Sequence, residues 1–259
     1  MAALNSIYRY PVKGLSPEPL GRTRLARGQT VACDRKYAIE NSPSGFDPDA
    51  PSYLPKARFL MLMRNESLAR LVTRYDDASH VLTIEQGGEE VARGDLSTPR
   101  GRVAIEDFFS AFAAGELRGP PKILHAPGHS FSDVARKVVS IINLASMAEI
   151  ETLVGAPVNP LRFRANLYVS GWPAWHELGL VGSEISVGPS ARLKIVKRIV
   201  RCAATNVDPD TGIRDLNIPA TLMQTFDHMD CGIYGEVIDD GEIAAGDKIA
   251  AGDEIERQI

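Results

Sequence analysis

The chain has 259 residues, of which 44% are hydrophobic and 24% charged, a composition typical of a globular protein with its own core. A formal net charge of −4 provides no overall basic field for a nucleic-acid backbone, and three widely spaced cysteines fit neither a disulfide framework nor a paired-cysteine zinc site. No apolar run approaches the roughly 18 residues that span a bilayer, and the first residues lack a secretory signal pattern. We therefore expect a cytoplasmic protein with neither nucleic-acid nor membrane partners.

Short strands separated by turns are predicted over the first hundred residues. The predicted strands cover residues 4–10, 31–40 and 59–63, a meander covers residues 71–91, and a proline-rich loop covers residues 41–55. A helix follows, because four apolar side chains recur at helical spacing between Ile105 and Phe112, and Gly115 supplies a stop. The Gly-Pro-Pro turn at residues 119–121 is the expected domain boundary.

The second half is predicted to be rich in strands again, with two helices among them. Strands are predicted at residues 138–142, 165–170, 184–187, 193–200 and 233–237. Asn143 and Gly155 suit the two ends of the first helix, and Pro219 suits the first position of the second. The expected fold is α+β and strand-dominated, with two β-barrel-like domains at residues 1–120 and 121–259 and a few peripheral helices.

The most informative segment is residues 198–212, where an apolar strand delivers Cys202 into a polar turn. A thiol becomes a good ligand or nucleophile as the thiolate, and the nearby cations Lys197, Arg198 and Arg201 favour that form. A free cysteine is also commonly a small buried apolar residue, and the Asp-Pro-Asp-Thr-Gly sequence alone is more often a turn than a site. The residues of this segment by themselves leave both interpretations open.

Two further segments place polar and basic side chains near strand ends. Arg162, Arg164 and Asn166 lie where a loop feeds a strand, and Lys13 lies on a loop shortly after Pro11. Arginine offers a planar fork that matches phosphate, and asparagine can both donate and accept at the edge of a heterocycle. Solvated charges at a strand end and a plain turn would explain the same residues.

Taken in this order, the segments resemble the MOSC family in its two-part form, in which a β-barrel-like N-terminal domain precedes the MOSC domain. The resemblance covers nearly the whole chain, and the cysteine motif is its most specific part. It is carried by residues 7–14 (Ile-Tyr-Arg-Tyr-Pro-Val-Lys-Gly), 34–39 (Asp-Arg-Lys-Tyr-Ala-Ile), 162–166, 201–212 and 232–236.

The resemblance implies a molybdenum cofactor, a pterin dithiolene that carries a phosphate, with a protein cysteine as a ligand of the metal. By motif match Cys202 is that molybdenum ligand, and Asp208 is a catalytic residue together with it. The implied cofactor-binding residues are Lys13, Arg35, Asn143, Arg164, Asn166 and Thr205. A soft thiolate suits a redox-active metal, and a phosphate needs charge-assisted partners.

Within the family, the chain is similar to the amidoxime-reducing components and to bacterial reductases of N-hydroxylated compounds. The resemblance therefore implies a molybdenum-dependent oxidoreductase that removes oxygen from N-oxygenated small molecules. Three cysteines are too few for an iron–sulfur cluster, so we expect a separate electron-donor protein. The alternatives are a cofactor or sulfur carrier with a persulfide on Cys202, and a β-rich ligand-binding module without a redox role. The pocket walls are expected in the loop with Trp172 and Trp175 and in the connection at residues 210–222.

Overall fold

The computed structural model describes residues 1–251, so the last eight residues of the expected second domain lie outside the described residues. Fifteen strands and three α-helices make up the described part. The strands are β1 (Ala2–Arg9), β2 (Glu18–Leu20), β3 (Arg22–Leu25), β4 (Ala38–Glu40), β5 (Leu71–Tyr75), β6 (Val81–Gln86), β7 (Glu89–Asp95), β8 (Lys122–Leu124), β9 (Val139–Asn143), β10 (Leu167–Ser170), β11 (Glu184–Val187), β12 (Ala191–Val200), β13 (Asp230–Asp239), β14 (Gly241–Ala244) and β15 (Lys248–Ala251). The helices are α1 (Pro99–Phe112), α2 (Leu144–Val154) and α3 (Ile218–Phe226).

Seven strands close into a barrel with the order β10-β9-β13-β12-β11-β15-β1. The ring closes because β1 also pairs with β10, with Ile7 opposite Leu167, and β2 extends the sheet beside β1. Alternate side chains on the strands face inwards, and Leu4, Ile7 and Leu193 are completely or almost completely buried. Closure pairs the edges of the sheet, which would otherwise expose unpaired backbone groups.

The first strand of the chain belongs to this same barrel, whose other members come from residues 139–251. A second link joins β3 to β14 in a separate two-stranded sheet. The expected boundary near residue 120 stays a prediction, while the strand-dominated α+β architecture with barrel-like organisation is confirmed.

The meander and the first helix are confirmed. β5, β6 and β7 form a three-stranded antiparallel sheet, and α1 follows directly on β7. The side chain of Thr98 accepts a hydrogen bond from the backbone N–H of Gly101 at 3.0 Å and caps α1. Ile105 and Phe109 lie on α1 and are completely buried in the cluster that it forms with this sheet. Because one face of the helix is buried, apolar residues recur at helical spacing in the sequence.

Two predicted strands in the first half are wrong in whole or in part. Only residues 38–40 of the segment 31–40 form a strand, because Cys33 and Arg35 adopt positive φ angles of 61° and 52° in a tight turn. The segment 59–63 forms no strand and only an isolated bridge from Phe59 to Glu40. Asn65 accepts a hydrogen bond from the backbone N–H of Met61 at 3.0 Å and holds the chain in a turn. The loop predicted at residues 41–55 is confirmed.

The predicted elements of the second half are confirmed with small shifts of their ends. Asn143 caps α2 by accepting from the backbone N–H of Ala145 at 3.1 Å, and Gly155 ends it with a φ of 69°. α3 begins at Ile218, one residue before the predicted start at Pro219. Sequence patterns missed five strands, which are only three or four residues long and therefore too short to show a period of two. These strands are β2, β3, β8, β14 and β15. Within residues 1–251 no helix combines the length and the apolarity needed to cross a bilayer.

Candidate functional site

A cavity of about 250 Å³ is bordered by the end of β12, the loop after β1, the 3₁₀ turn at Pro160–Phe163 and the loop at residues 61–63. Cys202 contributes to its wall. The charged residues that line it are Lys13, Arg35, Lys56, Asp133, Arg162, Arg164, Lys197 and Arg201. Seven bases against one carboxylate among these lining residues make the cavity strongly cationic.

Cys202 lies between the end of β12 and the 3₁₀ turn at Ala203–Asn206. Lys56 donates a hydrogen bond from Nζ to the Sγ of Cys202 at 3.2 Å. Thr205 donates from both its backbone N–H and its hydroxyl to the carbonyl oxygen of Cys202, each at 3.0 Å. Burial alone would lower the pKa of Lys56, but Asp133 and Cys202 raise it. The thiol is thus held on a fixed turn with an ammonium group against it.

Lys13 and Asp133 form an ion pair in the cavity wall. The ammonium of Lys13 also donates to the carbonyl oxygen of Phe131 at 2.9 Å. Burial would raise the pKa of Asp133, but the neighbouring Lys13, together with Lys56 and Arg35, lowers it well below its ordinary value. Asp133 is therefore an ionised carboxylate that partly neutralises the cavity.

Arg35 and Arg164 both contact the completely buried ring of Tyr10. The guanidinium carbon of Arg35 lies 4.8 Å from the ring centroid and that of Arg164 lies 4.3 Å from it. Arg35 donates to Asp34 at 2.5 Å and to the carbonyl oxygen of Arg164 at 3.0 Å. Burial lowers the pKa of Arg164 to about 10. These contacts bring together two arginines that are 129 positions apart in the chain.

Arg201, next to Cys202, has one unused hydrogen-bond donor. Its Nε donates to the carbonyl oxygen of Cys231 at 2.7 Å and its Nη1 to that of Phe163 at 3.0 Å. Its buried Nη2 has no partner within the described residues. An unpaired buried donor costs about 1 to 3 kcal/mol.

Five of the eight site residues predicted from the sequence line the cavity, and the other three do not. The five are Lys13, Arg35, Arg164, Cys202 and Thr205. The structure therefore brings together residues from four separate segments of the chain.

The other three predicted residues, Asn143, Asn166 and Asp208, are not among the described lining residues of the cavity. Asn143 caps α2. Asn166 accepts from the backbone N–H and the hydroxyl of Ser140 at 3.1 and 2.8 Å, and Asp208 pairs with Arg162 at 2.9 Å. Because Ser140 and Arg162 line the cavity, Asn166 and Asp208 support its wall, and their roles towards a cofactor stay predictions.

Sequence reasoning missed Lys56, which begins the 3₁₀ turn at Lys56–Arg58, and Asp133, which lies in a loop; neither belongs to a recognisable pattern. The expected pocket walls are wrong. Trp172 is 8% exposed in the barrel core, Trp175 packs against Phe226, and the cavity lining within residues 1–251 includes neither tryptophan nor any residue of 210–222. The apolar part of the wall comes instead from residues 61–63 and from the end of β12.

Comparison with known proteins gives two matching family models, the MOSC N-terminal beta barrel domain at residues 1–116 and the MOSC domain at residues 126–250. The mitochondrial amidoxime reducing component 2 of Bos taurus is 32% identical over 88 residues, which cover 34% of this chain and 25% of that protein. The mitochondrial amidoxime-reducing component 1 of Homo sapiens is 30% identical over 90 residues, 35% of this chain and 26% of that protein. The match thus spans about a quarter of the length of these relatives. The crystal structure of the YuaD protein from Bacillus subtilis superposes with a TM-score of 0.46 at 16% identity, covering 97% of this chain and 96% of that one.

Proposed function

The chain belongs to the MOSC family, and on that premise we propose that it is a molybdenum-cofactor-dependent oxidoreductase that reduces N-oxygenated small molecules. Cys202 is the proposed ligand of molybdenum. The observation that carries the proposal is the position of the Cys202 thiol in the wall of a cavity lined by seven bases and a single carboxylate among the described residues. The similarity to mitochondrial amidoxime-reducing components supports the choice of substrate class.

The residues of the cavity fit such a cofactor chemically. A thiolate is a ligand of choice for soft, redox-active metals, and a phosphate is best held by charge-assisted hydrogen bonds. Lys13, Arg35 and Arg164, which line the cavity, supply those charges. When bound, the cofactor would supply the two-electron chemistry that removes oxygen from the substrate.

The chain's own residues would position the reaction and exclude water. Lys56 holds the sulfur of Cys202 by a hydrogen bond, and Thr205 holds the turn on which Cys202 lies. The apolar side chains of Met61 and Ile199 line the same cavity and reduce its access to water. A low local dielectric strengthens the contacts between the bases and an anionic ligand.

The proposal includes a separate electron-donor protein, because the three cysteines of this chain cannot hold an iron–sulfur cluster of the usual four ligands. A persulfide carrier is the alternative, since the hydrogen bond from Lys56 to Cys202 would also favour an anionic persulfide. The cytoplasmic location stays a prediction.

Metal analysis of protein from a host that makes the molybdenum cofactor tests the proposal. We expect about one molybdenum atom per chain and reduction of an amidoxime with a chemical electron donor. Cys202→Ala should abolish the reduction, and the matched control Cys33→Ala should keep it, since Cys33 is not among the cavity-lining residues in the described part. A fully active Cys202→Ala variant, or a one-sulfur adduct on Cys202 without molybdenum, would overturn the proposal.

A further inference from the structure

Tyr10 has an unusual position, with a completely buried ring that contacts two guanidinium groups. An aromatic face attracts a cation through its quadrupole, and the attraction is stronger when both partners are removed from water. Arg35 and Arg164 lie within 5 Å of the ring centroid, at 4.8 and 4.3 Å, which is within the range of such contacts. Tyr10 therefore offsets part of the cost of burying two like charges side by side.

Tyr10 is held by hydrogen bonds to two separate segments of the chain. The backbone N–H of Tyr10 donates to the carboxylate of Asp34 at 2.9 Å, and its carbonyl oxygen accepts from the backbone N–H of Arg35 at 2.7 Å. Its hydroxyl donates to the carbonyl oxygen of Ala165 at 3.3 Å. Tyr10 thus connects the turn that carries Arg35 with the turn that carries Arg164.

Both arginines also have their backbones in the left-handed region, each with a φ of 52°. Residues other than glycine rarely adopt this conformation, and when they do the surrounding structure holds them there. The directions in which the two side chains leave the backbone are therefore set before any ligand binds.

The two guanidinium groups differ in how their charge is balanced. Arg35 pairs with Asp34, and Lys13 in the same cavity pairs with Asp133. Within residues 1–251 Arg164 forms no salt bridge with a carboxylate, and its guanidinium contacts the ring of Tyr10 and lines the cavity. A partly buried cation without a paired anion is costly, and an anionic ligand would reduce that cost.

We propose that Tyr10 is a positioning residue that holds Arg35 and Arg164 as a preformed site for the phosphate monoester of a larger ligand. This inference rests on the proposed function only for the identity of that ligand. Tyr10 acts through the two arginines and does not touch the phosphate. A tyrosine that only fills the core would leave phosphate binding unchanged in any variant that still folds.

Calorimetric titration of the full chain, purified from a host that lacks the cofactor, tests the inference. The probes are inorganic phosphate and phenyl phosphate. Tyr10→Phe keeps the ring but loses the hydrogen bond to Ala165, so it should bind phenyl phosphate with an affinity between those of the unchanged chain and of Tyr10→Leu. Tyr10→Leu should bind it at least about tenfold more weakly, a difference of about 1.4 kcal/mol. Any of three results would overturn the inference. They are an unchanged affinity in Tyr10→Leu, an affinity of Tyr10→Phe as low as that of Tyr10→Leu, and binding of inorganic phosphate but not of phenyl phosphate.

Tyr75→Leu is the matched control. Tyr75 is also buried and also has a cation over its ring, Lys36 at 5.4 Å, but neither residue is among the described lining residues of the cavity. We expect this variant to lose thermal stability and to keep its affinity for phenyl phosphate. An equal loss of affinity in Tyr75→Leu would show a general effect of core packing and would overturn the role of Tyr10.

A spectroscopic measurement on the unchanged chain keeps the test decisive if Tyr10→Leu does not fold. The Nε–Hε signals of Arg35 and Arg164, assigned with the Arg→Lys variants, should be shifted by the ring current of Tyr10 before phosphate is added. Unshifted signals would overturn the inference. None of these measurements uses molybdenum. If the chain bound no metal but its affinity for phosphate depended on Tyr10, the proposed function would be wrong and this inference would still be supported.

Discussion

Asn143 donates a hydrogen bond from its side-chain amide to the carboxylate of Glu177 at 3.0 Å, and both residues are completely buried. The hydroxyl of Ser146 donates to the same carboxylate at 2.8 Å. Burial raises the pKa of Glu177, and the hydrogen bonds from Asn143 and Ser146 act in the opposite direction. Asn143 thus joins the start of α2 to the 3₁₀ turn at His176–Leu180, which accounts for a buried polar residue at this position.

The free energy of unfolding of Glu177→Gln, relative to that of the unchanged chain, should increase as the pH rises. Because the folded-state pKa of Glu177 is raised, the folded state binds this proton more tightly than the unfolded state does. The stability of the unchanged chain therefore falls as the pH rises from about the ordinary value of 4.5 through the raised value, and Glu177→Gln removes this loss. Urea unfolding at several pH values measures the difference. The exposed Glu89→Gln is the control, and a pH-independent difference for Glu177→Gln would contradict the prediction.

Gly232→Ala should destabilise the protein by more than Gly155→Ala. Both glycines have positive φ angles, 80° and 69°, so both substitutions incur backbone strain of about 1 to 3 kcal/mol. A Cβ on Gly232 would also lie 2.5 Å from the carbonyl oxygen of Ile141 and 2.9 Å from Nη2 of Arg201, while Gly155 has open space around it. The difference between the losses in free energy of unfolding of the two variants measures the cost of the close contacts of the added Cβ with Ile141 and Arg201. Equal losses in the two variants would show that this close approach has no energetic weight.

Cys202 and Cys231 should differ sharply in their reaction with iodoacetamide. Cys231 is completely buried, and burial raises its pKa to about 12, so in the folded state it presents almost no thiolate. Cys202 lines the cavity and should be alkylated in the folded, cofactor-free chain. Peptide mass spectrometry with and without denaturant distinguishes the two sites. Alkylation of Cys231 before Cys202 in the folded chain would contradict the burial seen here.

Asn166→Ala should lower the free energy of unfolding by about 1 to 3 kcal/mol, because it leaves buried donors of Ser140 without an acceptor. Asn166 also donates to the carbonyl oxygen of Tyr8 at 3.2 Å, so it joins β1, β9 and β10 where the barrel closes. Asn166→Asp keeps the acceptor for Ser140 and should lose less stability in urea unfolding. A fully stable Asn166→Ala variant that no longer retains molybdenum would contradict this structural role and favour a direct contact with the cofactor.

Much of the secondary structure could be predicted because the signals are local. Thr98 and Asn143 cap helices through hydrogen bonds to N–H groups two or three residues ahead, and Gly155 ends a helix where a positive φ is needed. The failures have a local cause as well. The apolar run at residues 59–63 looks like a strand, but the backbone N–H of Met61 donates to the side-chain oxygen of Asn65 and holds the run in a turn.

The candidate site could be predicted only in part, because its residues form a site only when the fold brings distant segments of the chain together. Lys13, Arg35 and Arg164 were identified through motifs at three places in the sequence. Lys56 belongs to no motif and reaches Cys202 across 146 positions of the chain. Asn143, at a position where similar proteins tend to carry a hydroxyl residue, and Asn166, in the Arg-Phe-Arg-Ala-Asn motif, were both expected to bind the cofactor. Their side chains complete hydrogen-bond networks inside the fold.

By itself, the sequence determined the fold class, the family and the cysteine around which the site is built, because those depend on residue types and short spacings. Only the tertiary structure decided which charges remain available to a ligand. Arg162 is paired by Asp208 and Asp215, and Lys13 is paired by Asp133. Within the described part of the chain Arg164 stays without a carboxylate, against the ring of Tyr10. The physical reason is that the pairing of a charge depends on distances of a few ångströms between residues far apart in sequence, and closure of the barrel sets those distances.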